Sequence, residues 1–245
     1  IGNNNIQDIS LLHLSKVLKQ LPQTRSPINI SLRSNNFTCE GARYLASALE
    51  ANSPVCWLDL RYNMTITDQG IEALGLALAN NTMLTGLDII KCGCNESGAA
   101  ALSDSLLENH TLRSLLIQDE LSLQAIYSLS ILLSDSLCSL QALYLWHCNL
   151  NAQLLEVLCR HIKGNKSLST LALSYNKIDD NSSIFLADMI LRNKSLTKLH
   201  IGANSFTSPA AGYFGVALSK NNTLQFLDLS RNDLKSYGVW PIAIS

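Results

Sequence analysis

Leu168-Ser169-Thr170-Leu171-Ala172-Leu173-Ser174-Tyr175-Asn176-Lys177-Ile178 decides the fold. Apolar residues hold its first, fourth, sixth and eleventh places, and an amide holds the ninth. The same spacing returns at Leu196, Leu199, Ile201, Asn204 and Phe206, and again at Leu224, Leu227, Leu229, Asn232 and Leu234. Upstream it returns at Leu140, Leu143, Leu145, Cys148 and Leu150, at Leu112, Leu115 and Ile117, and at Leu84, Leu87, Ile89, Cys92 and Cys94. Val55, Leu58, Leu60 and Asn63, and Pro27, Ile30, Leu32, Asn35 and Phe37, continue it. The starts fall at 27, 55, 84, 112, 140, 168, 196 and 224, so six intervals are 28 residues and one is 29. A fixed period of this size signals a solenoid of stacked repeats.

Each repeat reads as one strand and one helix. The Leu-x-Leu alternation puts two apolar side chains on one face of a pleat. In Gly41–Leu49, and again at Ala99, Ala100, Leu102, Leu106 and Leu107, apolar residues fall three and four apart, the stripe of a helix. The ninth-place amide both donates and accepts, so it satisfies backbone groups where the strand turns away. Stacked amides form a ladder, and Cys92 and Cys148 replace two of them with small, weakly donating thiols.

Repeats of 28 residues, strand then full helix, with Asn or Cys at the ladder place, resemble the ribonuclease-inhibitor class of leucine-rich repeats. The resemblance covers residues 1 to about 235. It implies an α/β fold: a right-handed horseshoe solenoid with a parallel sheet on the concave face and helices on the convex face. Members of the class include enzyme inhibitors, sensing halves of innate immune receptors, GTPase activators and effectors secreted by intracellular bacteria such as Legionella. The Asn-Lys-Ser-Leu and Asn-Asn-Thr-Leu joints look most like the effectors. A single domain over 1–245 is expected. Ile1, Asn4 and Ile6 match the end of a template phrase, so the terminal caps read as missing, atypical or trimmed.

The bulk chemistry points to binding. The chain has 245 residues, 18 basic and 19 acidic, with net charge −1. No global field suggests nucleic acid. No stretch of 18 apolar residues is present, and the richest, Leu121 to Leu137, is broken by Ser, Gln and Asp. No membrane partner and no cofactor are expected, and the free protein is expected to be a monomer. The seven cysteines (39, 56, 92, 94, 138, 148 and 159) lack a disulfide-framework spacing and read as free thiols of a reducing cytosol. For a secreted effector that cytosol is the host's. Cys92-Gly93-Cys94 lacks the second pair of a metal site and falls on core places. Sequons such as Asn109-His110-Thr111 and Asn221-Asn222-Thr223 recur with the repeat and read as turn residues. No phosphate loop, zinc-protease motif or nucleophile elbow is present, and no enzyme is expected. A Cys148–His147 pair is disfavoured, because the thiol points in and the imidazole out.

The free places of the template carry the partner information. Its third, fifth, seventh and eighth residues point to the concave face, and adjacent repeats set equivalent places about 4.8 Å apart. The third row holds Trp57 and Phe226. The fifth holds Asp59, Asp88, Leu116, Tyr144, His200 and Asp228, and the seventh Arg61, Ile90, Gln118 and Trp146. The eighth holds Tyr62, Lys91, Asp119, His147, Tyr175 and Arg231. Large aromatics facing away from the core answer no packing need, and Trp, Tyr and Arg are typical binding anchors. The competing reading is that they pair across strands, worth roughly 0.2–1 kcal/mol per pair. Tyr144, Trp146, His147 and Tyr175 form a wall beside small residues, while Asp59, Arg61, Asp88 and Lys91 form a flank of alternating sign. The ladder place after Ile117 is Glu120, which cannot donate when ionised, so either the loop bulges and Glu120 turns to solvent or the ladder breaks there.

The expectation is a non-enzymatic protein that grips a protein partner, by resemblance an enzyme whose active site it covers: a host protein or a second effector. Two alternatives stand beside it. One is a GTPase activator, with Arg33 or Arg61 stabilising phosphoryl transfer. The other is a ligand-sensing fragment of a larger receptor.

Overall fold

The computed structural model describes residues 1–235. The part of the expected domain beyond 235, with the third tryptophan, Trp240, lies outside the described residues. Strands β1 to β8 are Ile28–Ser31, Val55–Asp59, Gly86–Asp88, Ser114–Ile117, Ala142–Leu145, Thr170–Ala172, Lys198–His200 and Phe226–Asp228. Helices α1 to α8 are Asp8–Gln20, Cys39–Glu50, Thr67–Ala79, Glu96–Ser105, Leu123–Ser134, Ala152–Ile162, Ser183–Arg192 and Ser208–Leu218. The strands pair in chain order in one parallel sheet, each joined to the next by a helix. No described helix is long and apolar enough to cross a membrane.

Register follows the template. Trp57, Gly86, Ser114, Ala142, Thr170, Lys198 and Phe226 pair in sequence along one row, and Ser31, Asp59, Asp88, Leu116, Tyr144, Ala172, His200 and Asp228 along the next. The fourth- and sixth-place residues, such as Leu171 and Leu173, are buried against the helices, except in the repeat starting at 224, where Leu227 and Leu229 are only partly buried. In α2 the stripe Ala42, Leu45 and Leu49 is buried, and Thr38 caps its start by accepting the Glu40 N–H. Each repeat therefore buries its apolar face only against its neighbours.

Two amide ladders tie the repeats together. In the first, Asn176 Oδ1 accepts the N–H groups of Cys148 (2.8 Å) and Leu150 (3.3 Å), and its Nδ2 donates to Leu145 O (2.7 Å) and Leu173 O (3.0 Å). Asn63 and Asn204 repeat this arrangement, and Asn35 accepts from Asn4 and Ile6, so the opening residues do complete a template phrase. Cys92 and Cys148 fill the same place, with their thiols on Leu60 O and Ile117 O. Burial pushes the Cys148 thiol up to about 12 and raises Cys92 further, so both stay protonated and able to donate.

The second ladder runs through Asn81, Asn109, Asn165, Asn193 and Asn221 at the helix-to-strand joints. Asn109 Nδ2 donates to Leu78 O (2.7 Å) while its Oδ1 accepts the Leu112 N–H (2.8 Å). Asn165 and Asn193 do the same in their repeats. The sequons are thus structural, and their recurrence marks an amide cross-link between repeats rather than turns alone. The extra residue near Met64 is absorbed by a 3₁₀ turn at Met64–Ile66, followed by Thr67 at φ 55°.

The irregular repeat resolves in an unexpected way. Asp119, not Glu120, occupies the ladder: its Oδ2 accepts the Cys94 N–H at 3.2 Å, and Glu120 faces solvent. Leu121 then fills the buried eleventh place, and Ser122 caps α5 one residue earlier than Asn151 caps α6. The turn is shortened by one residue. This corrects the expected placement of Asp119 at an exposed eighth position. Burial raises its carboxyl to about 6 despite the backbone N–H it accepts.

Because that value lies above the unfolded one, the native state holds the extra proton between about pH 4 and 6, and stability is lost as pH rises through 6. Asp119→Asn keeps the acceptor, adds a donor and removes the titration. It should be more stable than the parent at pH 7.5 and lose that advantage at pH 4.5, measured by urea unfolding at both values. Equal differences at the two pH values would refute the buried-ladder assignment.

Candidate functional site

The sheet face turned away from the helices carries the rows foreseen in the sequence, but not all of their residues are accessible. Asp59 and Asp88 are buried at 5% and 2% exposure, and Ile90 is buried with them. Arg61 Nε bridges the two carboxylates, 2.9 Å from Asp59 Oδ1 and 3.1 Å from Asp88 Oδ2, and Ser31 Oγ donates to Asp59 at 2.9 Å. Burial opposes ionisation of Asp59, but hydrogen bonds from Arg61 and Ser31 outweigh it and hold its carboxyl below the ordinary value. At Asp88 burial wins and raises the carboxyl to about 6. Three of the four residues of the expected flank, Asp59, Arg61 and Asp88, therefore form an ion cluster joining two repeats, tied to a third by Ser31, and Lys91 stands apart from it on the row of positive-φ residues. Asp59, Asp88 and Ile90 offer a partner no contact surface, and Arg61 is committed to its carboxylates.

Trp57 is half-buried, its ring lying across Gly86, where any Cβ would overlap it. Glycine at this register place makes room for the indole. Tyr144 and Trp146 meet edge to face at 5.2 Å between ring centres, both half-buried, with Leu116 paired beside Tyr144 and Gln118 also half-buried. At the far end the His200 ring lies 4.9 Å from Phe226, which is 47% exposed. His200 Nδ1 is 3.9 Å from Asp228, whose carboxyl is held low chiefly by the hydrogen bonds from Ser230.

The eighth-place residues form a ridge, with Tyr62, His147, Tyr175 and Arg231 exposed and Ser34, Lys91 and Ala203 half-buried. Ser34, Tyr62, Lys91, His147, Tyr175, Ala203 and Arg231 all adopt positive φ, between 50° and 62°. This left-handed residue ends each strand phrase and turns its side chain outward. The shortened repeat alone lacks it, since Asp119 turns into the ladder. Along this ridge the His147 and Tyr175 rings stack at 4.6 Å, and Arg231 Nη1 donates to the Tyr175 hydroxyl at 2.8 Å across two repeats. A shallow cavity of about 170 Å³ opens beside them, lined by Glu120, His147, Asn149, Tyr175, Asn176 and Lys177. The sequence placed these side chains on one row; the shared backbone conformation was not visible in it.

Cys148 and His147 do not form a nucleophilic pair. Cys148 is buried and His147 is exposed, on opposite sides of the chain. All seven cysteines are free. Among the described residues, no group of three or more His, Cys, Asp or Glu is gathered to hold a metal.

A family model described as Leucine Rich repeat matches residues 58–75, 164–187 and 220–243. The chain is 30% identical over 213 residues to the NACHT, LRR and PYD domains-containing protein 14 of Mus musculus, covering 86% of this chain and 21% of that protein. It is 28% identical over 242 residues to the ribonuclease inhibitor of Mus musculus, covering 98% of this chain and 52% of the inhibitor. The chain thus spans between about a fifth and a half of these curated relatives. A solved structure, the yeast Rad7 and Elc1 complex, aligns with a TM-score of 0.46 at 14% identity, covering 92% of this chain and 60% of that one. With eight parallel strands and alternating helices among the described residues, the chain is a leucine-rich-repeat α/β solenoid with ribonuclease-inhibitor-like repeats.

Proposed function

We propose that this chain works by binding, not catalysis, and that it seats a protein partner on the open face of its sheet, along the ridge from Tyr62 to Arg231. The observation that carries this reading is the ridge itself. A left-handed residue with a side chain costs roughly 1–2 kcal/mol, and glycine escapes that cost. The chain nevertheless places Tyr62, Lys91, His147, Tyr175 and Arg231 there, all with positive φ. Folding does not ask for them, whereas a partner gains from rigid aromatic and guanidinium groups. Tyr144 and Trp146 stand next to the ridge as half-buried anchors, and Trp57, Phe226 and Gln118 extend the contact. By likeness to the ribonuclease inhibitor, the partner is an enzyme whose active site the face covers. Free thiols fit action in a reducing cytosol, the host's if the chain is a secreted bacterial effector. The GTPase-activating alternative loses Arg61, which is held by two carboxylates.

Tyr175→Gly tests the ridge because it separates folding from binding. Stability should change by less than about 1 kcal/mol, since relief of the left-handed strain offsets the loss of exposed contacts. Affinity capture with the parent and the variant as baits should lose a partner protein from the variant. Equal capture by both baits would remove the ridge from the site.

A further inference from the structure

The convex face is not uniform. Helix α5 lies between α4 and α6. Its outer side carries Leu123, Tyr127 and Ile131, exposed at 46%, 49% and 40%, and Leu137 just beyond its end is 64% exposed. The first three are spaced four apart, so they form one stripe along the helix. The outward residues of α6 are instead Gln153 and the ion-paired Glu156 and Arg160.

The stripe belongs to the irregular repeat, and that repeat departs from both ladders. Its first ladder place is taken by Asp119. Its second, where neighbouring repeats have Asn109 and Asn165, is Leu137, which turns outward while Asp135 Oδ1 accepts the Leu137 N–H at 2.8 Å. Apolar residues thus stand outward at four places of one repeat, including one where an inward amide would have stabilised the stack.

Charge says what kind of partner fits. Between residues 97 and 139 the chain holds Asp104, Glu108, Asp119, Glu120 and Asp135 against Arg113 alone. Asp104, on α4, and Glu108, just beyond its end, are exposed, and neither has an ion-pair partner among the described residues; Glu120 lies instead beside His147 and Tyr175 on the ridge side. An apolar stripe bordered by uncompensated carboxylates complements a helix with an apolar stripe and basic residues beside it. We propose that α5 docks an amphipathic helix of a partner protein, its apolar side chains on Leu123, Tyr127, Ile131 and Leu137 and its Lys or Arg side chains facing Asp104 and Glu108. This surface lies on the opposite side of the sheet from the ridge and is independent of it.

The test uses a synthetic helix-forming peptide of about 15 residues. Leucines sit at four-residue spacing, with lysines beside them. A control peptide carries glutamates in place of the lysines. Binding is read by fluorescence anisotropy and by amide chemical shifts of the whole chain. The lysine peptide should bind with shifts centred on α5 and its flank on α4. Ile131→Ser should weaken it at least about tenfold, and Asp104→Asn with Glu108→Gln should weaken it severalfold. All of these positions are exposed, and unchanged melting of each variant secures the comparison. Absence of binding, equal binding of both peptides, or an affinity unmoved by Ile131→Ser would overturn the proposal. So would self-association of the free chain abolished by Ile131→Ser, which seats a second copy on α5, or binding to phospholipid vesicles lost in the same variant, which seats a lipid surface there.

Discussion

Replacing Asn176 with alanine should destabilise the solenoid by about 4 kcal/mol, a large effect for one polar side chain. Asn176 is 1% exposed, and its amide satisfies two backbone N–H groups and two backbone carbonyls belonging to two repeats. Alanine removes the partner of the Cys148 and Leu150 N–H groups and of Leu145 O, while Leu173 O keeps the Asn204 Nδ2 donor at 3.1 Å, and each buried unsatisfied group costs roughly 1–3 kcal/mol. Water entering the space recovers part of that. Because stability in a repeat array is carried by nearest-neighbour interfaces, the loss weakens the coupling between the repeats that start at 140 and 168, and unfolding should broaden as well as shift. Asn204 is only half-buried, so Asn204→Ala should cost less. Asn176→Asp should cost at least as much as alanine at pH 7.5, since an ionised carboxylate buried at 1% exposure would face the Leu145 and Leu173 carbonyl oxygens, and should cost less at pH 4.5, where the protonated acid donates to one of them. Urea unfolding of the four proteins decides this. A change below about 1 kcal/mol for Asn176→Ala would mean the ladder is replaceable by water.

Truncating the aromatic wall should show the largest effect on binding. Tyr144 and Trp146 meet edge to face on the open side, half-buried and so already ordered before a partner arrives. Little side-chain entropy remains to be lost, which is what distinguishes an anchor from a surface aromatic. Against the partner recovered by affinity capture, Trp146→Ala should cost on the order of 2–4 kcal/mol of binding free energy. The double variant Tyr144→Ala/Trp146→Ala should cost less than the sum of the single ones, because the two rings support each other. Titration calorimetry gives both numbers. A Trp146→Ala affinity equal to the parent's would move the site off the wall, and a still-folded double variant that keeps its partner would leave the ridge, tested by Tyr175→Gly, as the remaining seat on the open face.

Much of this architecture was readable in the chain. Leu-x-Leu alternation and the 28-residue period place Leu171, Leu199 and their equivalents in the core, and the same period puts Tyr144, Trp146, His147 and Tyr175 side by side. Period alone does not report burial at the free places. Asp59 and Asp88 look like surface charges until Arg61, from the neighbouring turn, closes over both. The period also hides compensating shifts. The shortened turn at Gln118-Asp119-Glu120 is made good before the next strand, so the starts at 112 and 140 keep their spacing while the ladder residue changes from Glu120 to Asp119.

By itself the sequence determined the repeat, the direction in which each strand residue faces, and the alternation of strand and helix, because these depend on spacings of two, three and four residues within one segment. Only the tertiary structure decided that the joint asparagines form a second ladder, that Asp119 enters the first in place of Glu120, which carboxylates were buried, and that five bulky side chains share a left-handed backbone at the strand exits. Apart from the contact of Arg61 with Asp59 two residues away, the ladders and buried carboxylates rest on hydrogen bonds between residues about one repeat apart, and such bonds exist only once neighbouring repeats have stacked.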